Sequence, residues 1–343
     1  MLETRSVAEV KAILQSNFGQ IRIRAEKIPL FQALGRVLSR EVRAGNFIPD
    51  FDRSSVDGYA VKVSDISASS PSAPVVLKLI GQARMGEHTA LRIENGETVY
   101  VPTGGEVPIG TEAVVMLEDT NPLDEKRIAI LRSPKSGDNM IFRGEDMKPG
   151  DPVLPVGKRL KIADIGALAA MGIVMVPVRK KPRVGIISIG DELIPANQAL
   201  ERVGLVRDVN APMLHHAIQA AGGKPHLYGI VRDDLPAIQA LVQKAMGECE
   251  IVLLSGSTSM DSRDVAAAII DDLGTVLVHG VAVKPGKPTI VGTIREKPIF
   301  GLPGNPVSVY FTFYLFVRPL LQSYLGAQVV ERVGVQGDVK QPV

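Results

Sequence analysis

The spacing of apolar residues changes period several times along the chain, and each change predicts an element. Val7, Val10, Ile13 and Leu14 fall on one helical face, and Ser6 with Glu9 forms a capping box, so Ser6 to Phe18 is predicted to be a helix. A second helix is predicted from Pro29 to about Arg40, with the proline at its first position. From Phe47 to Asp146 the pattern becomes short runs between turns, and GYAVKV, PVVLKLIG, TVYVPTGG, EAVVMLED and RIAILRS read as strands. Helical spacing returns over Ile162 to Met171 and stops at Gly172. Beyond the basic stretch RKKPR, read as an exposed linker, strands alternate with helices. RVGIISIG, PHLYGIV, IVLLSG, TVLVHGVAV, PTIVGTI and PIFGLPG are the strands, and helices are expected over Ala211 to Ala221, Leu235 to Met246, Asp264 to Leu273 and from Pro306.

Such alternation predicts a parallel sheet with right-handed crossovers. The helices on either side of the β-rich block predict a discontinuous helical domain, 1–46 and 147–177, with a β-rich domain, 47–146, inserted into it. An α/β domain follows over 178–326, and 327–343 reads as the first strand of something further.

The 343 residues suffice for two or three domains, and 39 basic against 37 acidic side chains leave no charge excess that would suit nucleic acid or a membrane surface. Cys249 is the only cysteine, which excludes a disulfide framework and a cysteine-based metal cluster. The N-terminus lacks an apolar signal core, and the longest apolar run, Val307 to Val317, is too short to span a bilayer. A cytoplasmic protein is expected.

Candidate chemistry gathers where strands of the last domain end. The stretch IVLLSGSTSMDSRD, Ile251 to Asp264, passes from a buried strand through small polar residues into a helix start, the place where open α/β sheets keep their ligands. The same Ser, Thr and Asp residues also serve as helix caps. The first strand ends in Ser188, Gly190, Asp191 and Glu192; VKPGKP carries Lys284 and Lys287; GLPGNPVS carries Pro303, Gly304, Asn305 and Ser308 before a helix start that favours an anion. Carboxylates converging with phosphate are what Mg²⁺ takes. No spacing matches a Walker loop or a dinucleotide G-x-G-x-x-G. His215 and His216, adjacent on a helix, are read as structural and facing different ways.

The segments FDRSSVDGYAV, VPTGGEVPIGTEAVVMLED, RGEDMKPGD, SIGDEL, VRDVN, VAVKPGKP and FGLPGNPVS, in this order, resemble the molybdopterin molybdenumtransferase family, the MoeA type related to the E domains of gephyrin and plant Cnx1. The resemblance covers about residues 1 to 326. It implies a multidomain α/β protein: a parallel-rich domain resembling a molybdopterin-binding fold, the discontinuous helical linker domain, the inserted β-rich domain, and a C-terminal β-barrel of which only the beginning is present. It further implies a homodimer whose site is shared between subunits, and a molybdopterin adenylyltransferase as the upstream partner. The implied reaction inserts molybdate into adenylylated molybdopterin and releases AMP with Mg²⁺ present. Carried over by motif, Asp57, Asp146, Glu192, Asp208 and Asp264 are the catalytic acids, with Glu192, Asp208 and Asp264 holding the metal. Thr103, Ser255, Gly256, Ser259, Lys284, Lys287, Pro303, Gly304, Asn305 and Ser308 would bind substrate or oxyanion.

Two departures stand out. The family's glycine-rich SGGVSVG loop is SGSTSMDSRD here, with Ser257 and Asp261 in place of glycines and Arg263 where an aromatic residue is common. Four residues ahead of Lys284, where a further lysine is frequent, stands Gly280. These departures keep open a second reading, a non-catalytic or altered paralogue that binds molybdopterin or an oxyanion, tungstate included.

Overall fold

The computed structural model of the chain describes residues 4–256 and 260–327, without the side chains of 260–264. Two compact units emerge, one made of Met1–Glu41, Pro155–Gly166 and Ile173–Val343, the other of Val42–Leu154 and Ala167–Gly172.

The first unit is built on six strands: β1 (Arg183–Ile189), β2 (Lys224–Val231), β3 (Ile251–Gly256), β4 (Thr275–His279), β5 (Ile290–Ile294) and β6 (Lys297–Leu302). Their spatial order is β2-β1-β3-β6-β5-β4. β1 runs parallel to β2 and β3, and β3 runs parallel to β6. The sheet is parallel-rich, as expected, with one exception: β5 is antiparallel to both β4 and β6. The cause is local. Arg295 and Glu296, at φ 51° and 61°, make a two-residue left-handed turn that fits a tight hairpin, so no crossover helix can intervene.

The helices are α1 (Val7–Phe18), α2 (Asn210–Ala221), α3 (Leu235–Glu248), α4 (Met260–Leu273), α5 (Pro306–Thr312) and α6 (Arg318–Leu325), the last two joined by one π-helical turn over Phe313–Val317. Strand side chains alternate between two covered faces. Val184, Ile186, Ile251 and Leu253 pack with Val10 and Leu14 of α1, Leu214 and Ile218 of α2, and Phe313 and Tyr324 of the C-terminal helical run. Ile187, Ile189, Val252 and Leu254 pack with Ile238 and Val242 of α3 and Ile269 and Ile270 of α4. Burial on both faces explains why these strands read as unbroken apolar runs. The capping box of α1 is present, with the Ser6 N–H donating to Glu9 and the Glu9 N–H to Ser6 Oγ.

The helix expected from Pro29 to Arg40 does not form. Ala25–Pro29 is a strand antiparallel to Met175–Arg179, followed by a single 3₁₀ turn at Leu30–Gln32. Gly35 is left-handed at φ 73°, and apart from two turn bonds the backbone of this stretch bonds to residues 157–160, 174 and 177 rather than in a helical ladder. The Leu38 N–H donates to the Lys158 carbonyl and the Leu160 N–H to the Arg36 carbonyl. The helix at Ile162–Ala170 forms as expected, opened by Asp164, which accepts from the Lys161 N–H and pairs with Lys158 at 3.0 Å.

The second unit holds another six-stranded sheet, in the order Ala113–Met116, Gly58–Val61, Glu97–Val101, Val75–Gln82, Arg127–Ile130, Thr120–Asp124. All five expected strands occur in it. Only Val75–Gln82 and Glu97–Val101 pair in parallel. Tyr59, Val61, Leu77, Val115 and Ile128 fill one face, and Ala60, Val99, Val101 and Ile93 the other. The glycine of VDGYAV is required by sterics: a Cβ on Gly58 would lie 2.1 Å from the Val115 carbonyl oxygen.

Candidate functional site

The order of strands in the first unit fixes where a ligand could enter. From β1 the chain crosses to β2 on one side, and from β2 to β3 on the other. The carboxyl ends of β1 and β3 therefore flank a topological switch point. Register carries the same edge across the sheet: Ser188 pairs with Ser255, Ser255 with Leu302, Gly301 with Ile290, and Ile290 with His279. The loops that follow Ile189, Gly256, His279 and Leu302 thus all leave from one edge.

At that edge Ser188 Oγ donates to Asp208 Oδ2 at 2.5 Å, and Asp208 Oδ1 accepts from the Ala211 N–H at 3.0 Å. Asp208 is buried and sits just before α2, so helix-end N–H groups and the hydroxyl share its charge. Asn210 Nδ2 donates to the Gly304 carbonyl, which ties the start of α2 to the GLPGNP loop. In that loop Asn305 caps α5, its Oδ1 accepting from the N–H groups of Val307 and Ser308 at 2.9 and 3.3 Å, with Pro306 at the first helical position. Gly256 has φ 121°, and a Cβ there would lie 2.0 Å from the Ile189 carbonyl oxygen, so the end of β3 admits only glycine. The Glu192 carboxylate lies against Gly190, within 2.6 Å of where a Cβ would stand.

Ser255 Oγ, Asn210 Oδ1 and His215 Nδ1 are buried without a hydrogen-bond partner, although buried polar groups are normally satisfied. A cleft of about 930 Å³ is lined by His215 of these three, with Ser188, Gly190, Asp208, His216 and Arg232 among others. The two histidines, read from sequence as facing apart, both line this cleft, with ring centroids 5.1 Å apart. Of the residues carried over by motif, Asp208 lines the cleft directly, as do Ser188, Gly190 and Asp191 from the end of the first strand. Lys284 and Lys287 stand exposed on the loop after β4; after β6, Asn305 is exposed, Gly304 is half-buried, and Pro303 and Ser308, the latter inside α5, are buried; none of these six lines the cleft. Sequence reading passed over Arg202 and Arg232, which line the cleft, and Asp233, whose N–H donates to Asp191 at 3.4 Å. The signal was the RDD turn at the end of PHLYGIV, a strand end like the others.

Ser259 lies outside the described residues, as do Ser257, Thr258 and residues 328–343. Asp264 is on α4, but its side chain, with those of Asp261 and Arg263, also lies outside them. Among the described residues no group of three His, Cys, Asp or Glu is placed to hold a metal.

In the second unit Asp57 Oδ1 accepts from the Thr103 N–H at 2.7 Å, which joins two of the expected residues across the VDG and PTGG turns. Asp146 is exposed, its N–H donating to the Ile48 carbonyl.

The first unit is thus an open α/β sheet of the class that places its binding sites at strand ends, with cationic and carboxylate side chains in the loops there. Comparison with known proteins gives the family. Residues 5–172 match the MoeA N-terminal region (domain I and II), and residues 185–323 match a probable molybdopterin binding domain. A molybdopterin molybdenumtransferase of Nostoc sp. is 34% identical over 305 residues, 88% of this chain and 70% of that one. The Bacillus subtilis protein of the same name is 34% identical over 95% of this chain and 76% of its own length. The crystal structure of a molybdopterin biosynthesis moeA protein from Pyrococcus horikosii superposes with a TM-score of 0.81 at 36% identity, covering 94% of this chain and 81% of that one. The chain belongs to the molybdopterin molybdenumtransferase family.

Proposed function

We infer that the chain is a transferase of molybdenum cofactor biosynthesis that inserts molybdate into adenylylated molybdopterin and releases AMP. The observation that carries this reading is the strand-end edge itself: Asp208 held by Ser188, the cleft beside it, and four ligand-competent loops leaving one side of the sheet. The relatives named as transferases support it, and they do not favour the non-catalytic reading.

Each residue has a part its chemistry suits. Molybdate is a dianion, so Lys284, Lys287 and the N–H groups at the start of α5, shaped by Pro303, Gly304, Asn305 and Ser308, would bind it or a phosphate. Ser255, Gly256 and Ser259 would meet the pterin end, where Gly256 lets backbone come close. Glu192, Asp208 and Asp264 would hold Mg²⁺. Their hard oxygens fit this ion, which takes one or two carboxylates, keeps water and shares the rest of its shell with substrate phosphate. Bound there, it would neutralise charge on the anhydride that is cleaved. Asp57, Thr103 and Asp146 would come from a second copy of the chain in a homodimer. A molybdopterin adenylyltransferase would supply the substrate. The linker, inserted β-rich and α/β divisions at 1–46 with 147–177, 47–146 and 178–326 belong to the same reading, as does a cytoplasmic setting. Among the described residues no helix is long and apolar enough to cross a membrane.

The test is AMP release from adenylylated molybdopterin with molybdate and Mg²⁺. Turnover that Glu192→Gln lowers at least tenfold, with an unchanged melting temperature, supports the reading. No AMP above the protein-free blank overturns it.

A further inference from the structure

The second unit contains a cleft of about 650 Å³ that none of the roles above uses. Phe47, Asp50, Phe51, Arg53 and Arg143 line it. Two guanidinium groups in one cleft repel each other and would ordinarily be matched by carboxylates. Here two of the nearby acids are engaged elsewhere. Asp52 Oδ1 accepts from the Arg143 backbone N–H at 2.7 Å. Glu106, which pairs with Arg53 in an isolated β-bridge, accepts from the Thr89 N–H and pairs with His88, both at 2.8 Å. Among the described residues, neither guanidinium has a hydrogen bond or an ion pair, and Arg53 Nε is buried without an acceptor.

The fold nevertheless holds both groups in place. Arg53 lies in a short strand paired with Met140–Ile141, which fixes its stem. The Arg143 guanidinium lies over the Phe47 ring, its Cζ 4.1 Å from the centroid, a cation–π contact that holds the side chain. Stacking orders a long side chain ahead of binding, which lowers the entropy lost on capturing a ligand. Asp50 is the one acid lining the cleft, against two arginines. Planar forks of N–H donors, immobilised and unneutralised, match the oxygens of a phosphate-type anion better than a lone ammonium would.

We propose that the Arg53–Arg143 cleft is an oxyanion site that takes the phosphate group of a phosphate monoester. It lies within the second unit and does not rest on the transferase reading.

The experiment is isothermal titration of the full chain with inorganic phosphate in low-chloride buffer. The background is Lys284→Gln/Lys287→Gln, so that the proposed site on the α/β edge contributes nothing. Arg143→Gln, at an exposed position, should weaken phosphate binding at least tenfold, and Arg53→Gln should do the same. Asp50→Asn should tighten it. Arg127→Gln, an exposed arginine of the same unit paired with Asp124, should leave it unchanged. AMP should lose affinity by the same factor as phosphate, because the phosphate is the group recognised. Equal affinity of Arg143→Gln and its parent, or AMP binding without phosphate binding, overturns the proposal. If Arg53→Gln lowers the melting temperature, Arg143→Gln and Asp50→Asn decide the question alone.

Discussion

Ser188 Oγ and Asp208 Oδ2 are 2.5 Å apart, and both side chains are buried. A charge-assisted bond of this kind holds the carboxylate at the mouth of the cleft while the Ala211 N–H takes its other oxygen. Ser188→Ala should leave a buried anion short of one donor and cost about 1–3 kcal/mol. Asp208→Asn keeps the shape but removes the charge, and should lower AMP release more than it lowers stability. Urea unfolding beside the AMP assay separates the two effects. A Ser188→Ala variant as stable as its parent would show that the bond does not hold the acid.

Gly256 and Gly166 make an internal contrast. A Cβ at Gly256 would strike the Ile189 carbonyl oxygen, on a backbone of φ 121°. Gly256→Ala should cost on the order of 3 kcal/mol, through left-handed strain combined with displacement of β1. Gly166 lies in the helix Ile162–Ala170 with nothing within 4 Å of its Cβ position. Gly166→Ala should stabilise the chain by up to about 1 kcal/mol through helix propensity. Thermal melts of the pair read both signs.

Gly280 occupies the place where relatives of this type are expected to carry an extra lysine, and its φ is 105°. Its carbonyl accepts from the Arg5 N–H and its N–H donates to the Thr289 carbonyl, so the backbone there is held from both sides. Gly280→Lys should therefore lower the melting temperature by several degrees and fail to raise turnover. A gain in AMP release would mean that the loop adapts and that the missing cation limits the reaction.

Cys249 is fully buried, and burial raises its thiol pKa above the ordinary value. The Tyr228 hydroxyl lies 3.6 Å from its sulfur and donates to Glu248 at 2.8 Å; burial, followed by these two neighbours, raises the phenol pKa as well. Both groups ionise more readily in the unfolded chain. Their contribution to stability is complete below the ordinary thiol value of 9.0 and is lost as pH rises beyond it. Iodoacetamide at pH 8 should label the native chain at under a tenth of the unfolded rate. Stability measured by urea should fall from pH 8.5 to 10.5, and Cys249→Ser should make that fall shallower. Rapid native labelling would contradict the burial argument.

Much of this molecule was legible in one dimension. Period-2 runs located every strand of the inserted sheet that was expected, and the capping box fixed the start of α1, because both signals are local. The apolar runs of β1 and β3 announced burial on both faces. Motif order alone pointed to the family, and Asp57 and Thr103, named on that resemblance, are joined by a hydrogen bond. Tertiary structure decided the rest. Whether 29–40 would be a helix depended on carbonyls and N–H groups of residues 157–160, more than a hundred residues away. The antiparallel turn of β5 depended on a two-residue loop whose handedness composition does not disclose. Sequence also could not show that Asp208 spends both oxygens on internal partners, that His215 and His216 face one cleft, or that Arg53 and Arg143 line another without an ion pair to either guanidinium among the described residues. Side-chain satisfaction is set by which distant groups the fold brings within hydrogen-bond distance, and no local pattern encodes that.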